Sequence, residues 1–340
     1  MTFISITSHF FKLIYILTKY MKRRDFILKT SQTGIAISAL GLYACKNSKE
    51  KKIIDETKEI DNSEELFFKM SLAQWSYHRS LKSGAIDHLD FAAKSRSFGF
   101  EGIEYVNSFF KNKAQDMSYL KEMNSRADAE GQKSVLIMVD GEGALADADT
   151  KKRLKAIENH YKWVEAAHFL GCHAIRVNLA GGIDEEEAAK AGIDSLTQLS
   201  DFARGSNINV LVENHGGFSS NGAWMSRVFS QIKNENCGTL PDFGNFCIKK
   251  DEERNCLEAY DRYKGMKEVL PFAKAVSAKS YEFDNQGNET TIDYKRVMKM
   301  VKDSGYTGFV GVEFEGKTIS EEAGIQATRD LLIKVGKQLA

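Results

Sequence analysis

Three carboxylate residues each close a short apolar segment, and together they could hold a divalent cation. Glu213 lies within Val210–Gly217, which reads VLVENHGG, while Asp242 and Glu313 end two later segments of the same kind. Short apolar runs predict strands that are buried on both faces. Because hard divalent cations prefer carboxylate oxygens, carboxylates at three strand ends predict a common metal site.

Other polar and aromatic side chains occupy equivalent positions beside predicted strand ends. These candidates are Trp75, Glu104, Asn178, His215, Asn245, Lys279 and Glu315. Oxygen ligands alone favour Mg or Mn, whereas a mixed oxygen and imidazole site would also suit Co or Zn. His215 is therefore a candidate metal ligand or substrate contact, although it could instead cap the helix that follows. Lys279 is predicted to stabilise negative charge, or alternatively to extend its ammonium group from the strand end into solvent.

From residue 70 onward, short apolar runs alternate with longer amphipathic stretches, which predicts repeated strand–helix units. The predicted strands are Met70–Trp75, Gly102–Val106, Ser134–Val139, Ala174–Leu179, Asn209–Glu213, Gly238–Asp242, Ala275–Lys279 and Phe309–Phe314. The predicted helices are Ile86–Ser97, Met117–Glu130, Lys151–Leu170, Glu185–Ser206, Trp224–Asn234, Leu257–Leu270, Tyr294–Asp303 and Glu322–Leu339. His160 and His168, on the third of these helices, are predicted to face solvent or an interface.

Eight such units match a (β/α)8 TIM barrel, whose typical length is about 250 residues. No G-x-G-x-x-G motif follows Met70–Trp75, so the fingerprint of a doubly wound dinucleotide-binding sheet is missing. Catalytic groups of TIM barrels lie at the C-terminal ends of the strands, where all of these candidates fall. Residues 67–340 are therefore predicted to form one α/β barrel domain.

Composition narrows the classes of protein that the chain can belong to. Its 340 residues carry 47 basic and 47 acidic side chains, so no net positive field favours a nucleic-acid partner. Apolar and charged fractions of 42% and 28% fit a soluble globular domain. None of Cys172, Cys237, Cys247 and Cys256 forms a C-x-x-C pair, and their spacing assigns no disulfide.

The N-terminal segment resembles a bacterial twin-arginine export signal joined to a lipoprotein cleavage box. Met21–Lys29 reads MKRRDFILK, and the apolar run Ile35–Tyr43 leads directly to Ala44 and Cys45. That run is shorter than the roughly 20 residues that span a bilayer. The resemblance implies an export signal over residues 1–45, with the true start at Met21, followed by a flexible tether over residues 46–66. Cys45 would then carry the lipid of a periplasmic, membrane-anchored lipoprotein.

The barrel region resembles the sugar phosphate isomerase/epimerase family of xylose-isomerase-like TIM barrels. Its motifs are ENHGG after strand five, DFGN after strand six and GYTGFVGVE leading into strand eight, and the resemblance covers residues 68–340. It implies that Glu213, Asp242 and Glu313 bind the metal, together with a histidine on strand seven. The expected His-x-Lys reads Ser-Ala-Lys here, with Ser277 in place of the histidine. His215 or a water molecule is then expected to complete the metal site.

The resemblance implies a metal-dependent isomerase or epimerase that acts on a sugar or keto-sugar. Glu213 and Glu313 would exchange a proton with the carbon next to the carbonyl, through an enediolate that Lys279 stabilises. Glu315 could exchange roles with Glu313. Asn245 would hydrogen-bond a substrate hydroxyl, and Trp75 would stack on a sugar ring or simply pack at the rim. Glu104 and Asn178 are further expected substrate contacts.

Two other functions fit the same residues. The missing strand-seven histidine favours a keto-sugar lyase or dehydratase, since a changed ligand set suits a changed reaction. A non-catalytic sugar-binding lipoprotein could also retain the barrel. A DNA-repair role like that of endonuclease IV is disfavoured because such a site needs more histidines than the strand ends offer. The glycine pairs at residues 181–182 and 216–217 could bind a phosphate through backbone N–H groups, but export makes a phosphorylated sugar less expected. A homo-oligomer is compatible with the sequence.

Overall fold

The eight predicted barrel strands all form in the computed structural model, which describes residues 66–340. They are β1 (Lys69–Ala73), β2 (Gly102–Val106), β3 (Lys133–Met138), β4 (Ala174–Asn178), β5 (Asn209–Glu213), β6 (Cys237–Leu240), β9 (Val276–Ser280) and β10 (Phe309–Phe314). Two further strands, β7 (Cys247–Lys250) and β8 (Cys256–Ala259), pair only with each other, as an antiparallel hairpin. The predicted TIM barrel is confirmed.

The sheet is wholly parallel and closes on itself. Its strands follow the order β6-β5-β4-β3-β2-β1-β10-β9. Parallel bridges between Thr239 and Ala273 and between Asp242 and Ser277 join the two outer strands of that order. Of these two bridges, the one between Asp242 and Ser277 lies just past the C-terminal end of β6. TIM barrels carry their active sites at that end of the strands.

Alternation along the strands separates an inner core from the layer between sheet and helices. On β10, Val310, Val312 and Phe314 belong to the large apolar cluster that includes the helices. Leu211 of β5 belongs to a second cluster built from strand residues. Since side chains two residues apart share one face of a strand, Glu213 points to the same side as Leu211, towards the interior of the barrel. The intervening position Glu313 likewise points away from the helix layer.

Helices fill the intervals between the strands. They are α1 (His78–Ser83), α2 (Phe91–Ser97), α3 (Met117–Ala129), α4 (Thr150–Phe169), α5 (Glu185–Arg204), α6 (Gly222–Phe229), α7 (Arg262–Val269), α8 (Tyr294–Asp303) and α9 (Glu321–Leu339). Aspartates begin several of them. Asp184, for example, accepts hydrogen bonds from the backbone N–H groups of Glu186 and Glu187 at the start of α5. This capping satisfies N–H groups that have no partner within the helix.

The region between β6 and α7 differs from the prediction. Leu257, predicted to start a helix, lies in β8, and α7 begins only after Asp261, which accepts a hydrogen bond from the backbone N–H of Lys264. A disulfide between Cys247 and Cys256 joins the hairpin strands. The sequence spacing could not assign this bond, because the two cysteines face each other only once the hairpin has formed.

Three smaller differences come from tertiary packing. Helix α1 was not predicted; it ends at Gly84, whose positive φ of 75° suits glycine. His160 is buried within α4, which contradicts the predicted solvent or interface position. Its Nδ1 lies 2.7 Å from the carbonyl oxygen of Ala156. Leu66, predicted as the last residue of the tether, packs against the core.

The described residues also bear on membrane association. Within residues 66–340, no helix combines the length and the apolar character that crossing a bilayer requires. Cys45, the export signal and residues 46–65 of the tether lie outside the described part of the chain.

Candidate active site

Three carboxylates from distant parts of the sequence meet at the C-terminal end of the barrel. Glu213 ends β5, Asp242 follows β6 by two residues, and Glu313 lies near the end of β10. All three are buried, and each offers an oxygen within 4.8 Å of the others. The predicted convergence of these side chains therefore exists in the structure.

Loop residues beside the cluster hold the first two carboxylates in place. Asn245 Nδ2 donates to Glu213 Oε1 over 2.9 Å. Asp242 Oδ1 accepts hydrogen bonds from the backbone N–H groups of Gly244 and Asn245. The side chain of Asn214 accepts from the backbone N–H of Asp242 and donates to its carbonyl oxygen. Asn214, which was not a predicted site residue, thus fixes the loop that presents Asp242.

Ser277 of β9 lies between two of the carboxylates, at the position where the family resemblance implied histidine. Its hydroxyl oxygen is 2.7 Å from Asp242 Oδ2 and 3.2 Å from Glu313 Oε2. A hydroxyl has one proton, so it donates to one carboxylate at a time. Ser277 therefore adds an oxygen, not a nitrogen, to the cluster.

Lys279, two residues further along β9, is a buried cation within this group. Its Nζ lies 2.5 Å from Glu313 Oε1, 3.2 Å from Glu315 Oε1 and 3.8 Å from Asp242 Oδ2. Burial acts to lower the pKa of Lys279, but the carboxylates of Glu313, Asp242 and Glu315 raise it well above its usual value. With only 1% of the residue exposed, the alternative that Lys279 extends into solvent does not hold.

Arg176 is a second buried cation, and sequence reasoning missed it. Its Nε lies 2.9 Å from Glu213 Oε2, and its Nη1 donates to Asp140 Oδ1 over 2.7 Å. Arg176 lowers the pKa of Asp140 to about 2. Asn178 Nδ2 also donates to Asp140 Oδ1, so Asn178 supports this ion pair. The available signal was a lone charge inside the apolar run AIRVN, since a buried charge requires a partner.

Glu104 is enclosed by protein. Its carboxyl accepts a 2.6 Å hydrogen bond from Ser71 Oγ, and a Cβ placed on Gly311 would collide with Oε1. Burial raises the pKa of Glu104 to about 8, so this group carries a proton at neutral pH. Glycine at position 311 leaves the space that the Glu104 side chain needs.

The donor set fits a divalent metal ion. Burial raises the pKa values of Glu213 and Asp242 above their usual ranges, because close, buried carboxylates are costly in their charged form. A cation among Glu213, Asp242 and Glu313 would relieve that cost. With the Ser277 hydroxyl beside them, the donors are all oxygen, the preference of Mg²⁺ and Mn²⁺. The cluster does not include the His215 imidazole, so that residue's role as a ligand stays a prediction.

A cavity of about 1290 Å³ opens over the cluster. Among the predicted residues, Trp75, His215, Asn245, Glu313 and Glu315 line it, whereas Glu104, Asn178, Glu213, Asp242 and Lys279 do not. The Trp75 indole Nε1 donates to Glu315 Oε1 over 2.5 Å, and the Lys82 ammonium lies 4.3 Å from the ring centroid. The cavity is larger than the 300 to 1,000 Å³ or so that small-molecule sites usually occupy. It can therefore accommodate a sugar with a further substituent.

Comparisons with known proteins agree with the barrel. Residues 92–335 match the family model described as xylose isomerase-like TIM barrel. The 3-keto-D-glucoside 4-epimerase YcjR from E. coli superposes with a TM-score of 0.59 at 14% identity, covering 79% of this chain and 100% of that one. No curated protein sequence matches the chain.

Two other solved structures give the same picture. A D-psicose 3-epimerase, solved in the presence of D-fructose, has a TM-score of 0.58 and 15% identity, covering 80% of this chain and 96% of that one. A xylose isomerase-like TIM barrel protein from Mycobacterium smegmatis in complex with magnesium has a TM-score of 0.58 and 16% identity, covering 80% and 98%. At these identities the likeness is one of fold.

Proposed function

We propose that this chain, which belongs to the xylose isomerase-like TIM barrel family, is a metal-dependent sugar isomerase or epimerase. It would move a proton at the carbon next to a carbonyl, through an enediolate. The observation that carries the proposal is the meeting of Glu213, Asp242 and Glu313 within 4.8 Å under a large cavity. Solved structures of similar fold include sugar epimerases, which supports the same reaction class.

Glu213 and Glu313 are the proton-transfer pair in this proposal. They reach the cluster from β5 and β10, so they can meet a bound substrate from different sides. One removes the proton next to the carbonyl and the other returns a proton to the opposite face, which inverts that carbon. Burial raises the pKa of Glu213 above its usual range, which favours uptake of a proton by this carboxylate.

The cations and polar groups around the pair have supporting roles. Glu213, Asp242 and Glu313 would hold the metal, which when bound polarises the substrate carbonyl. Lys279 lies beside Glu313, and its positive charge would stabilise the enediolate. Asn245, which lines the cavity and bonds Glu213, is placed to orient a substrate hydroxyl.

A lyase or dehydratase that uses the same proton abstraction is the second candidate. Ser277 favours it, because a hydroxyl has replaced the implied imidazole and contacts both Asp242 and Glu313. In that reaction the enediolate would expel a hydroxyl or an aglycone instead of regaining the proton. The two candidates share their first step and differ only in the second.

Export of the chain as a lipoprotein is part of the proposal. The Cys247–Cys256 disulfide supports it, because such bonds persist in oxidising compartments. Labelling of cells with a radioactive fatty acid should mark the wild-type protein and leave Cys45→Ser unlabelled. Equal labelling of both proteins would remove the lipid anchor from the proposal.

The decisive experiment follows solvent isotope into a keto-sugar panel. Purified protein with Mn²⁺ is incubated with keto-hexoses and 3-keto-glucosides in deuterated water and followed by NMR. An epimerase or isomerase gives product with deuterium at the carbon next to the carbonyl. Release of water or aglycone instead identifies the lyase, while binding without deuterium incorporation would leave only the sugar-binding lipoprotein.

A further inference from the structure

The charged side chains of the hairpin at the cavity mouth differ in whether they line the cavity. Over Cys247–Ala259 it carries three cations and four carboxylates. All three cations line the cavity, as does one acid; they are Lys249, Lys250, Arg254 and Glu258. Asp251, Glu252 and Glu253 do not line it. The hairpin therefore presents a positively charged wall to the cavity, although its total charge is slightly negative.

The turn of the hairpin is built around Arg254. This residue has a φ of 70°, a left-handed conformation that non-glycine residues adopt rarely. Asp251 stabilises the turn, since its carbonyl oxygen accepts from Arg254 N–H and its carboxylate accepts from both nitrogens of Asn255. A left-handed arginine where glycine would be relaxed suggests that the side chain is needed.

The three cations of the wall are available to a ligand. Lys249, Lys250 and Arg254 are exposed, and none forms an ion pair with another residue in 66–340. By contrast, Arg176, which lines the cavity, and Lys279, which does not, are buried against carboxylates. The three cations of the hairpin thus have no carboxylate partner, whereas these two buried cations do.

The wall is also fixed relative to the carboxylate cluster. Asn245, which bonds Glu213, precedes the first hairpin strand by one residue, Phe246. The Cys247–Cys256 disulfide joins the two strands, and at the barrel-side end Tyr260 N–H donates to the carbonyl oxygen of Phe246. A hairpin held in this way needs little further ordering when a ligand binds, which favours affinity.

We propose that the substrate is an anionic sugar, and that Lys249, Lys250 and Arg254 bind its carboxylate or sulfate group. The carbonyl end would lie at Glu213 and Glu313, and the anionic group at the far end would lie against the wall. Arginine recognises both oxyanions through paired N–H groups. This inference rests on the proposed function for the position of the carbonyl end.

An anionic membrane surface is a poorer match for these cations. The cations line a cavity, whereas Glu252 and Glu253 are exposed at the turn and do not line it. A flat anionic surface approaching the turn would meet those carboxylates, and like charges repel. Of the hairpin's charged side chains, a small oxyanion inside the cavity meets the three cations and only one carboxylate, Glu258.

Calorimetry on the Mn²⁺-loaded full chain tests the proposal without requiring turnover. The ligands are D-glucuronate and D-galacturonate, their neutral counterparts D-glucose and D-galactose, and D-glucose 6-sulfate. The uronates should bind at least about tenfold more tightly than the neutral sugars, a difference of about 1.4 kcal/mol. This advantage should shrink as salt is raised from 50 to 500 mM or so, because exposed charges are screened.

The key variant is Lys249→Gln/Lys250→Gln/Arg254→Gly, in which glycine accepts the backbone conformation at position 254. Its matched control removes three exposed cations elsewhere: Lys121→Gln/Lys190→Gln/Lys295→Gln. The wall variant should lose the preference for uronates and keep its weak affinity for neutral sugars, while the control keeps both. Equal binding of uronate and neutral sugar by the wild type, or a preference that survives in the wall variant, overturns the proposal.

The sulfate arm and the exchange experiment separate the remaining outcomes. If glucose 6-sulfate binds more tightly than glucose by the same factor as the uronates do, the wall recognises negative charge in general. If only the uronates bind more tightly than the neutral sugars, the wall recognises the planar carboxylate. Deuterium exchange into neutral keto-sugars without anion preference would sustain the epimerase and defeat this inference. Tight uronate binding without deuterium exchange into any keto-sugar would sustain this inference and defeat the epimerase.

Discussion

Ser277 Oγ donates a 2.7 Å hydrogen bond to Asp242 Oδ2 across the seam where the barrel closes. The same two residues form one of the bridges that join the outer strands β6 and β9. The contact between Asp242 and Ser277 thus belongs both to the closure of the sheet and to the carboxylate cluster. A serine at this position gives the cluster an oxygen where the family resemblance implied nitrogen.

Ser277→His should change which metal the protein prefers. Imidazole suits Zn²⁺ and Co²⁺, whereas an all-oxygen set suits Mg²⁺ and Mn²⁺. The wild type should bind Mn²⁺ in calorimetry, and the variant should gain at least about tenfold in Zn²⁺ affinity relative to Mn²⁺. Ser277→Ala, the matched control, should gain no Zn²⁺ preference. An unchanged ratio in Ser277→His would mean that this side chain does not face the metal.

Glu313→Gln and Glu213→Gln should each stop proton exchange without unfolding the protein. Each removes a proposed proton-transfer group, and such groups contribute about 10² to 10⁴ in rate. Deuterium incorporation by NMR gives the rate, and the melting temperature reports the fold. Glu258→Gln, at the exposed rim of the same cavity, is the control and should retain exchange of a neutral keto-sugar. Near-normal exchange in either variant would take that residue out of the mechanism.

Lys279→Met should destabilise the metal-free protein. It leaves the buried carboxylates of Glu313 and Asp242 without their cation, and breaking a buried ion pair costs about 3 to 5 kcal/mol. Addition of Mn²⁺ should recover part of this loss. Urea unfolding with and without Mn²⁺ measures both effects. Lys299→Met, which breaks the exposed pair with Asp303, should cost less than about 1 kcal/mol; similar losses in the two variants would contradict the prediction.

Glu104→Gln should make stability less dependent on pH. Burial raises the Glu104 pKa from 4.5 to about 8, so the folded protein keeps a proton that the unfolded chain releases within that interval. Raising the pH through this range therefore lowers the free energy of unfolding. Glutamine resembles the protonated carboxyl and avoids this loss. One pKa unit corresponds to about 1.4 kcal/mol, so the variant should be more stable than wild type by at least about 1 kcal/mol at pH 9.

Urea unfolding at pH 5 and pH 9 provides the comparison for Glu104→Gln. The two proteins should be close in stability at pH 5, where both carry a neutral side chain at position 104. The exposed variant Glu101→Gln should follow the wild type at both values. A stability difference between Glu104→Gln and wild type that is the same at both pH values would show that Glu104 does not titrate as described.

Reduction of the Cys247–Cys256 disulfide should loosen the hairpin and leave the barrel folded. Removing a cross-link restores conformational freedom to the short loop it closes. Trypsin should then cleave after Lys249, Lys250 or Arg254 much faster in the reduced protein, while the far-UV circular dichroism stays unchanged. Cys247→Ser/Cys256→Ser should behave like the reduced protein without any reductant. Equal cleavage of oxidised and reduced protein would mean that the disulfide does not restrain this segment.

The sequence determined the barrel because its signals are local. Each strand is a short apolar run, and Gly102–Val106, Asn209–Glu213 and Phe309–Phe314 form with the predicted bounds. The family motifs marked Glu213 and Asp242, since a carboxylate at the end of a parallel strand can be read without knowing its partners. That three such residues form one cluster followed only from the rule that TIM barrels carry their catalytic groups at the C-terminal ends of the strands.

Only the tertiary structure decided which cations balance the charge of the carboxylate cluster and which residues surround that cluster. Arg176 comes from the middle of β4, and its partner Glu213 lies 37 positions further along the chain. Ser277 meets Asp242 because the barrel closes there, and Cys247 meets Cys256 because an unpredicted hairpin forms. These are contacts between residues with no local signal for each other. For the buried charges Arg176, Glu213 and Asp242, burial makes a partner necessary, because an enclosed charge without one is costly.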